Sequence, residues 1–482
     1  MEENFNTVES MDLDIEKQES TLFSKFPFSK KTIIIAGAAL LVLILLIIII
    51  ASAASGKKSN KNKDNGNSEE NKDKEDKGDK EEPFCLIGDE EQCLTCNKSE
   101  CGSCNSKYTL INGECVPDFS IRANYISYSD NEYVELLNYT FSDYITEMIV
   151  DEEKVSPSSN HLFQTSGNHT VYMTINTEKL TSLDKMFYQM RKLKSIFFSK
   201  KFDTKNITSM ERIFVSCSQL TSINISNFNT ENVKSFDYLF YSAQKLNTII
   251  LPKSKASKLE NANHMFERCT SLTSIDFSNF IVNSQYLANL YGAFRECYSL
   301  EFVNMSNFNA QEVVDMGELF EDCYALTSVD FSNFKTAKLE KMNKMFFRCN
   351  KMESIDLSQF NTQNVVKMDY LFYGCSMLSS VDLSSFNTNN VQTMDSMFNG
   401  CYSLNSLDLS GFNTEKVTNM IEMFAFCSNL IYLDISHFTD TAKDYFDFFT
   451  SLPNEGTIKL NRKIYEKIKG MLPSSWNIQY ID

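Results

Sequence analysis

The chain has 482 residues, 42% of them hydrophobic and 23% charged, which is enough for a sizeable core spread over two or three domains. Its formal net charge of −17 argues against nucleic acid as a partner, because a phosphate backbone is bound by clustered Lys and Arg. This balance fits an acidic cell-surface or secreted protein better.

The N-terminal part predicts a membrane anchor. Residues 1–31 form a short, mostly acidic tail, and residues 32–55, TIIIAGAALLVLILLIIIIASAAS, carry no charge. That segment is long enough to cross a hydrocarbon core of about 30 Å as a helix, whereas the apolar part of a cleaved signal peptide has only about 7–15 residues and begins nearer the N-terminus. We predict a retained transmembrane helix at 32–55 behind a cytosolic tail at 1–31.

Lysines flank this span on both sides and mildly oppose an extracellular C-terminus. Those before it are Lys25, Lys30 and Lys31, and those after it are Lys57, Lys58, Lys61 and Lys63. A cysteine-rich module beyond the span, however, requires a compartment in which disulfides persist. We therefore expect a single-pass plasma-membrane protein with a cytosolic N-terminus and an extracellular C-terminal part.

Two short segments come after the span. Residues 56–83 have no aromatic or aliphatic side chain, so we predict a disordered, charged stalk. Residues 84–116 hold six closely spaced cysteines: Cys85, Cys93, Cys96, Cys101, Cys104 and Cys115. Such density predicts three disulfides; the alternative, zinc bound by the two Cys-x-x-Cys pairs, fits less well because only four residues separate the pairs, against about 15–20 in a zinc ribbon.

The end of this module, YTLINGEC, is similar to the end of furin-like and growth-factor-receptor cysteine-rich repeats. Residues 117–174 then alternate apolar and polar side chains in several short stretches, which predicts a small β region. Its last stretch, SGNHTVYMTI, resembles the final strand of an immunoglobulin-like or PKD-like module. The alternative is that residues 117–174 form an N-terminal cap for the region after them.

Residues 175–438 repeat one pattern about ten times. Six cysteines lie 26 residues apart. Upstream, Cys217, Ala243 and Cys269 keep the same period, with a two-residue insertion between Cys269 and Cys297, and Met190 occupies the corresponding place one degenerate unit earlier. The six are Cys297, Cys323, Cys349, Cys375, Cys401 and Cys427. A period of this length is typical of a solenoid, in which each unit buries its apolar face against its neighbours.

Each unit has two halves. In LNSLDLSGF, Leu407 and Leu409 alternate with polar residues, as in a half-buried strand. In NTEKVTNMIEMFAFC, apolar residues fall at i, +3, +6, +7 and +10, one stripe of a helix, after a cap at Asn413 and Thr414. They are Val417, Met420, Met423, Phe424 and Cys427. We predict an α/β solenoid with one strand and one short helix per unit.

The shared pattern, L-x-S-[ILV]-D-[LF]-S-x-F-N-T-x-x-V-x-x-M-x-x-M-F-x-x-C, resembles the BspA-type leucine-rich repeats of bacterial and protist surface proteins. The unit around Ile250 and Pro252 departs from it. The resemblance implies a leucine-rich repeat fold and a role in adhesion or recognition, with a protein or glycan ligand on another cell or matrix. Residues 439–482 look like the family's C-terminal cap, in which Trp476 closes the stack.

A ladder of Asp and Asn at the end of each strand is the candidate binding strip. Its members are Asn224, Asp276, Asn304, Asp330, Asp356, Asp382, Asp408 and Asp434. They either bond local Ser hydroxyls and backbone, recognise basic or hydroxyl-rich ligands, or hold divalent cations. Stacked carboxylates are expected to raise one another's pKa.

The eight repeat cysteines predict a small buried residue, with disulfides between neighbouring units as the alternative. Six N-glycosylation motifs occur, at Asn97, Asn138, Asn168, Asn206, Asn224 and Asn304. No catalytic, cofactor or phosphate-binding motif appears, and the four histidines are not at metal-ligand spacing. We therefore predict a binding protein and no enzyme; the alternative is a structural coat or membrane-tethered scaffold of self-associating solenoids.

Overall fold

The computed structural model describes residues 93–97, 100–104, 108–111, 114–117 and 119–481. The predicted cytosolic tail, transmembrane helix and stalk, together with Cys85, lie outside these residues. Within the described ranges no helix is both long enough and apolar enough to cross a membrane.

Four short strands form the cysteine-rich module: β1 (Cys93–Asn97), β2 (Glu100–Cys104), β3 (Tyr108–Ile111) and β4 (Glu114–Pro117). β1 pairs with β2 and β3 with β4, both antiparallel. The first register sets Cys93 opposite Cys104 and Cys96 opposite Cys101. Opposed Cα atoms in such a ladder are about 4.5–5.5 Å apart, a span that a disulfide bridges, so the register is compatible with the predicted disulfides, which stay a prediction.

The next region is a mixed sheet. Its elements are β5 (Ile121–Ser127), β6 (Glu132–Glu135), a 3₁₀ helix (Tyr139–Tyr144), β7 (Ile145–Val150), β8 (Glu153–Val155), β9 (Asn160–Phe163), β10 (Gly167–Ile175) and β11 (Leu193–Phe198). Every second side chain of β5 and of β10 is buried, as period-two alternation requires. β5 pairs with β10 on one side and with β11, the first strand of the repeat region, on the other.

From β11 onward the strands are parallel. They are β12 (Ser222–Asn224), β13 (Thr248–Ile250), β14 (Ser274–Asp276), β15 (Phe302–Asn304), β16 (Ser328–Asp330), β17 (Ser406–Asp408) and β18 (Tyr432–Asp434). Neighbouring strands pair without any shift in register, so equivalent residues stack in columns. The repeat solenoid is thereby confirmed, and the unit around Ile250 keeps its register, with Ile250 beside Asn224.

The second half of each unit is not helical, and the helix prediction is wrong. Its backbone N–H groups bond to the next unit: Met420 N donates to Asp444 O at 3.2 Å and Phe424 N to Phe448 O at 3.1 Å. Equivalent residues form a second parallel ladder of isolated bridges, through Ser182, Ser209, Ser235, Asn261, Asn289, Asp315, Lys341, Lys367, Thr393, Asn419 and Asp444. Among the described residues the one α-helix is α1 (Arg462–Ile468).

Two left-handed residues per unit explain the absence of the helix. In the unit that contains Val417 they are Glu422 (φ 54°) and Phe426 (φ 60°), and the other units repeat both positions. A left-handed residue in every group of four interrupts the i to i−4 hydrogen bonds, so the chain runs in consecutive turns. The predicted apolar stripe is nevertheless buried, because these turns also point every third or fourth side chain inward.

One continuous core fills the solenoid. At its centre ten phenylalanine rings stack face to face, with centroids 5.2–5.9 Å apart between neighbouring units. They are Phe187, Phe214, Phe240, Phe266, Phe294, Phe320, Phe346, Phe372, Phe398 and Phe424. Because each ring contacts the ring above and the ring below, the stack couples every unit to its neighbours.

The C-terminal residues extend the sheet. β19 (Thr457–Asn461) pairs with β18, and β20 (Asn477–Ile481) pairs with β19. Trp476 is buried and its Nε1 donates to Pro453 O at 2.8 Å. A side chain at Gly456 would meet that indole ring at 2.7 Å, so glycine is required there.

Candidate recognition surface

The eight residues of the predicted strip recur at one position of the repeat. Six of them end a strand, while Asp356 and Asp382 lie in two units where the structure has no strand, so the predicted strand is absent there. We call these eight residues, Asn224, Asp276, Asn304, Asp330, Asp356, Asp382, Asp408 and Asp434, the carboxylate strip. Its members are exposed or half-buried except Asp434, which lies beneath the C-terminal strands. Two residues earlier, a second exposed column carries mainly Ser and Thr, such as Ser328 beside Asp330. The sheet therefore presents carboxylates flanked by hydroxyls.

Every member of the strip also closes the turn that comes directly after it. Its Oδ1 accepts a hydrogen bond from the backbone N–H two residues later, at 2.8–3.1 Å. This is the local backbone bonding expected of Asp and Asn, and it explains why these two types fill the column in every unit except those of Phe197 and Ile250. In two members Oδ2 is engaged as well: that of Asp276 accepts from the Ser278 hydroxyl at 2.9 Å and that of Asp434 from the Tyr432 hydroxyl at 3.4 Å.

The pKa values of three strip carboxyls are lower than usual. The expected mutual raising of the pKa is present at Asp356, where the charge of Asp382 acts, but hydrogen bonds outweigh it. For Asp356 and Asp382 the main cause of the lower pKa is the backbone N–H of Ser358 and of Ser384. For Asp408 it is the hydroxyl of Ser410. Hydrogen bonds to the charged form outweigh repulsion between neighbouring units, which solvent screens, and keep these carboxylates ionised.

The strip lacks the geometry of a cation site. In the part of the chain that the structure describes, no three or more His, Cys, Asp or Glu side chains come close enough together to hold a metal ion. The strip therefore gives no support to the cation alternative.

All eight repeat cysteines are buried free thiols, so the disulfide alternative between units is wrong. Each Sγ donates to the carbonyl of a stacked phenylalanine one unit earlier, at 3.0–3.3 Å. Burial raises the thiol pKa, to about 12 for Cys427. The predicted small buried residue is confirmed, and its thiol also satisfies a core carbonyl.

Sequence reasoning missed a Ser–His–Asp constellation in the N-terminal sheet. His169 Nε2 lies 2.9 Å from Ser127 Oγ, and its Nδ1 lies 2.6 Å from Asp151 Oδ2. Only the register of β10 on β5 and the β7–β8 turn bring these residues together, so no local sequence motif indicates them. Ser127 is 2% exposed and its Oγ also lies 2.9 Å from Thr165 O. The hydroxyl is closed to any substrate, so the group ties three strands together.

A charged cluster occupies the second halves of the middle units. Arg295 lies 3.6–3.7 Å from four carboxylates, those of Glu267, Glu296, Glu318 and Glu321. Burial, and then the charge of Glu318, raise the pKa of Glu321 to about 7. The Glu321 carboxyl therefore titrates near neutral pH.

A shallow depression of about 340 Å³ flanks the strip in the C-terminal units. Hydroxyl, amide and carboxylate side chains form most of its lining, together with one methionine: Glu353, Met377, Ser379, Ser403, Asn405 and Asn429. Its polar groups can donate and accept hydrogen bonds. The depression widens the polar surface beside the strip.

The structure also places the N-glycosylation motifs. Asn168, Asn206 and Asn224 are exposed, while Asn138 and Asn304 are half-buried. Asn97 lies in β1, where only the backbone is described. Glycan attachment stays a prediction.

Three solved structures illustrate what the chain is similar to. They are a leucine-rich repeat protein from Bacteroides ovatus (16% identity, 64% of this chain and 89% of that chain, TM-score 0.32), TLR13 in complex with ssRNA13 (14%, 58% and 42%, 0.27) and a leucine-rich repeat protein from T. pallidum (16%, 44% and 78%, 0.22). Comparison with curated proteins finds no relative. A family profile matches residues 158–280, 288–381 and 350–455, more than half of the chain. The protein therefore belongs to the family described as "Mycoplasma protein of unknown function, DUF285".

Proposed function

We propose that this protein is a single-pass surface protein whose solenoid recognises a basic protein ligand on another cell or matrix. The observation that carries the proposal is a carboxylate at the same position of four successive units. Asp330 is half-buried and Asp356, Asp382 and Asp408 are exposed. Extended solenoid surfaces of this kind serve as binding surfaces. The fold does not identify the ligand, so the ligand is inferred from the side chains of the site.

Charge and hydrogen bonding favour a basic partner. The lowered pKa values of Asp356, Asp382 and Asp408 keep the strip negative over the physiological pH range. Flanking hydroxyls, such as that of Ser406, add hydrogen-bonding groups for a peptide backbone. Complementary charge then accelerates association with basic surfaces and disfavours acidic ones.

A glycan is the second candidate ligand, and the depression beside the strip favours it. Its lining of amides, hydroxyls and Glu353 matches the hydrogen-bonding capacity of sugar hydroxyls, and Met377 offers an apolar contact. Loss of glycan binding in Asn405→Ala, with unchanged binding of basic peptide, is the result that assigns the ligand to the depression. A glycan array probed with the natural protein and with Asn405→Ala measures the loss of glycan binding.

Strip variants test the main proposal. In Asp330→Asn, Asp356→Asn, Asp382→Asn and Asp408→Asn combined, the charge is removed but the turn is kept, because Asn224 and Asn304 already accept the same backbone bond at 3.0 Å. We expect at least a tenfold loss of affinity for an octalysine peptide in fluorescence anisotropy at low salt. The matched control neutralises four exposed acids elsewhere: Asp143→Asn, Glu153→Gln, Glu231→Gln and Glu415→Gln. Equal loss in both variants contradicts a specific strip.

The membrane topology is tested separately. A tag placed after Asp482 is expected to stain intact cells, because the six cysteines at 84–116 require a compartment in which disulfides persist, and the solenoid lies on the same side of the segment at 32–55. Permeabilised cells serve as the control. Staining only after permeabilisation rules out the surface protein and leaves an internal coat or scaffold.

A further inference from the structure

The charge of the repeat region changes sign along the chain. Residues 181–260 contain 13 Lys and Arg against 6 Asp and Glu, whereas residues 351–450 contain 4 Lys and Arg against 12 Asp and Glu. An overall charge of −17 hides this division. The first three units are basic, and the units that carry most of the strip are acidic.

Four of these lysines lie in two loops of the first three units. We call Lys200, Lys253, Lys255 and Lys258 the lysine edge; all four are exposed, and in the described part of the chain none forms an ion pair. They belong to the loops after β11 and β13. The loop after β12 joins these two: Asn227 Nδ2 donates to Ser199 O at 3.1 Å, and Lys253 N donates to Ser226 O at 3.3 Å.

The lysine edge and the carboxylate strip share a spacing. Lys200 and Lys253 lie two units apart, about 10 Å, and Asp356 and Asp408 are also two units apart. From Asp330 onward every unit of the strip carries Asp, and this stretch begins three units beyond Lys253. The lysine edge and this stretch of the strip therefore lie too far apart to pair within one molecule. Two parallel solenoids can place the lysine edge of one copy beside the carboxylate strip of the other, since the units of both copies repeat at the same spacing.

We propose that the carboxylate strip docks the lysine edge of a second copy of this chain. The proposal rests on the proposed function, in which the strip is a docking surface, and it names the partner. Because the two solenoids run parallel, a copy offers its strip to one neighbour and its edge to another, so the contact is heterologous and joins copies into open chains. Because exposed charges form the contact between strip and edge, added salt dissociates the chains.

Complementation between two variants provides the test. Lys200→Glu, Lys253→Glu, Lys255→Glu and Lys258→Glu combined keep the strip and lose the edge, while the four-Asn strip variant keeps the edge and loses the strip. In sedimentation velocity of the full chain in detergent at low salt, we expect concentration-dependent chains for the natural protein and monomers for each variant alone. A mixture of the two variants is expected to form one-to-one pairs that grow no further.

A matched control reverses four exposed lysines elsewhere: Lys351→Glu, Lys367→Glu, Lys463→Glu and Lys467→Glu. It is expected to assemble as the natural protein does. Natural protein that stays monomeric, chains that survive in the lysine-edge variant, or a mixture that stays monomeric each overturn the proposal. If octalysine binding still depends on the strip in that case, the proposed function stands and only the second copy is wrong.

Discussion

The two halves of each unit differ in how freely the residue at one equivalent position varies from unit to unit. At the strip position, eight units carry Asp or Asn, because that side chain must accept the backbone bond of the next turn. At the first left-handed position of the second half, successive units carry different types: Arg212, Tyr238, His264, Gly292, Glu318, Lys344, Tyr370, Ser396 and Glu422. At that position the backbone N–H donates to a carbonyl of the next unit, so no side chain is needed for the hydrogen bond.

This comparison separates two causes of sequence repetition. A residue that repeats on the surface serves the backbone, as the strip does, while a residue that varies is free to acquire local chemistry. The charged cluster around Arg295 and Glu321 is of the second kind, since it occurs only in the middle units. Substitutions in both halves test this division, from the largest expected effect to the smallest.

Removing a ring from the phenylalanine stack is expected to damage both halves alike. Phe346 is fully buried between Phe320 and Phe372, at 5.8 and 5.7 Å. Phe346→Ala is expected to lower the free energy of unfolding by about 3–5 kcal/mol, because it leaves a cavity that rigid neighbours cannot fill. Urea unfolding followed by circular dichroism measures it. A loss below about 1 kcal/mol would show that the stack does not couple the units.

Neutralising Glu321 is expected to make stability less dependent on pH. Its folded pKa of about 7 lies above the ordinary value of 4.5, so the folded state holds a proton that the unfolded state loses, and stability falls as pH rises from 4.5 to 7. Glu321→Gln is therefore expected to be more stable than the natural protein at pH 8, by roughly 1–3 kcal/mol, and similar at pH 4.5. Thermal unfolding across pH tests this; an equal difference at both pH values contradicts it.

Two substitutions of one strip residue sharpen the comparison. Asp382→Ala removes the acceptor for Ser384 N, 2.9 Å away, and is expected to cost about 1 kcal/mol. Asp382→Asn keeps the acceptor and is expected to cost less than about 0.5 kcal/mol. Chemical denaturation measures the stability of both variants. If the charge of Asp382 rather than its turn bond matters, the two variants lose the same amount of stability.

The smallest effect is expected two residues earlier in the same unit. Ser380 is exposed and closes no turn, so Ser380→Ala is expected to change stability by less than about 0.5 kcal/mol. Binding of octalysine, compared with the natural protein, then reports only on the hydroxyl. A large loss of stability would show that this column too serves the backbone.

Much of the fold could be predicted from the chain alone. The 26-residue spacing of Cys297 to Cys427 indicates the solenoid, and the stripe Val417, Met420 and Phe424 identifies the buried positions. The helix could not be excluded, because consecutive turns bury side chains at the same three- and four-residue intervals as a helix does. No local signal marks Glu422 or Phe426 as left-handed, since in these units non-glycine residues occupy that conformation.

The sequence by itself determined the repeat, the buried positions and the Asp and Asn column, because each depends on residues close along the chain and recurs from unit to unit. Tertiary structure decided what depends on neighbouring units. It turned the N–H groups of the second half toward the next unit, set each thiol against a carbonyl one unit away and gathered Ser127, Asp151 and His169 from separate strands. Hydrogen bonds between distant residues supply the free energy for these arrangements, and local periodicity carries no record of their partners.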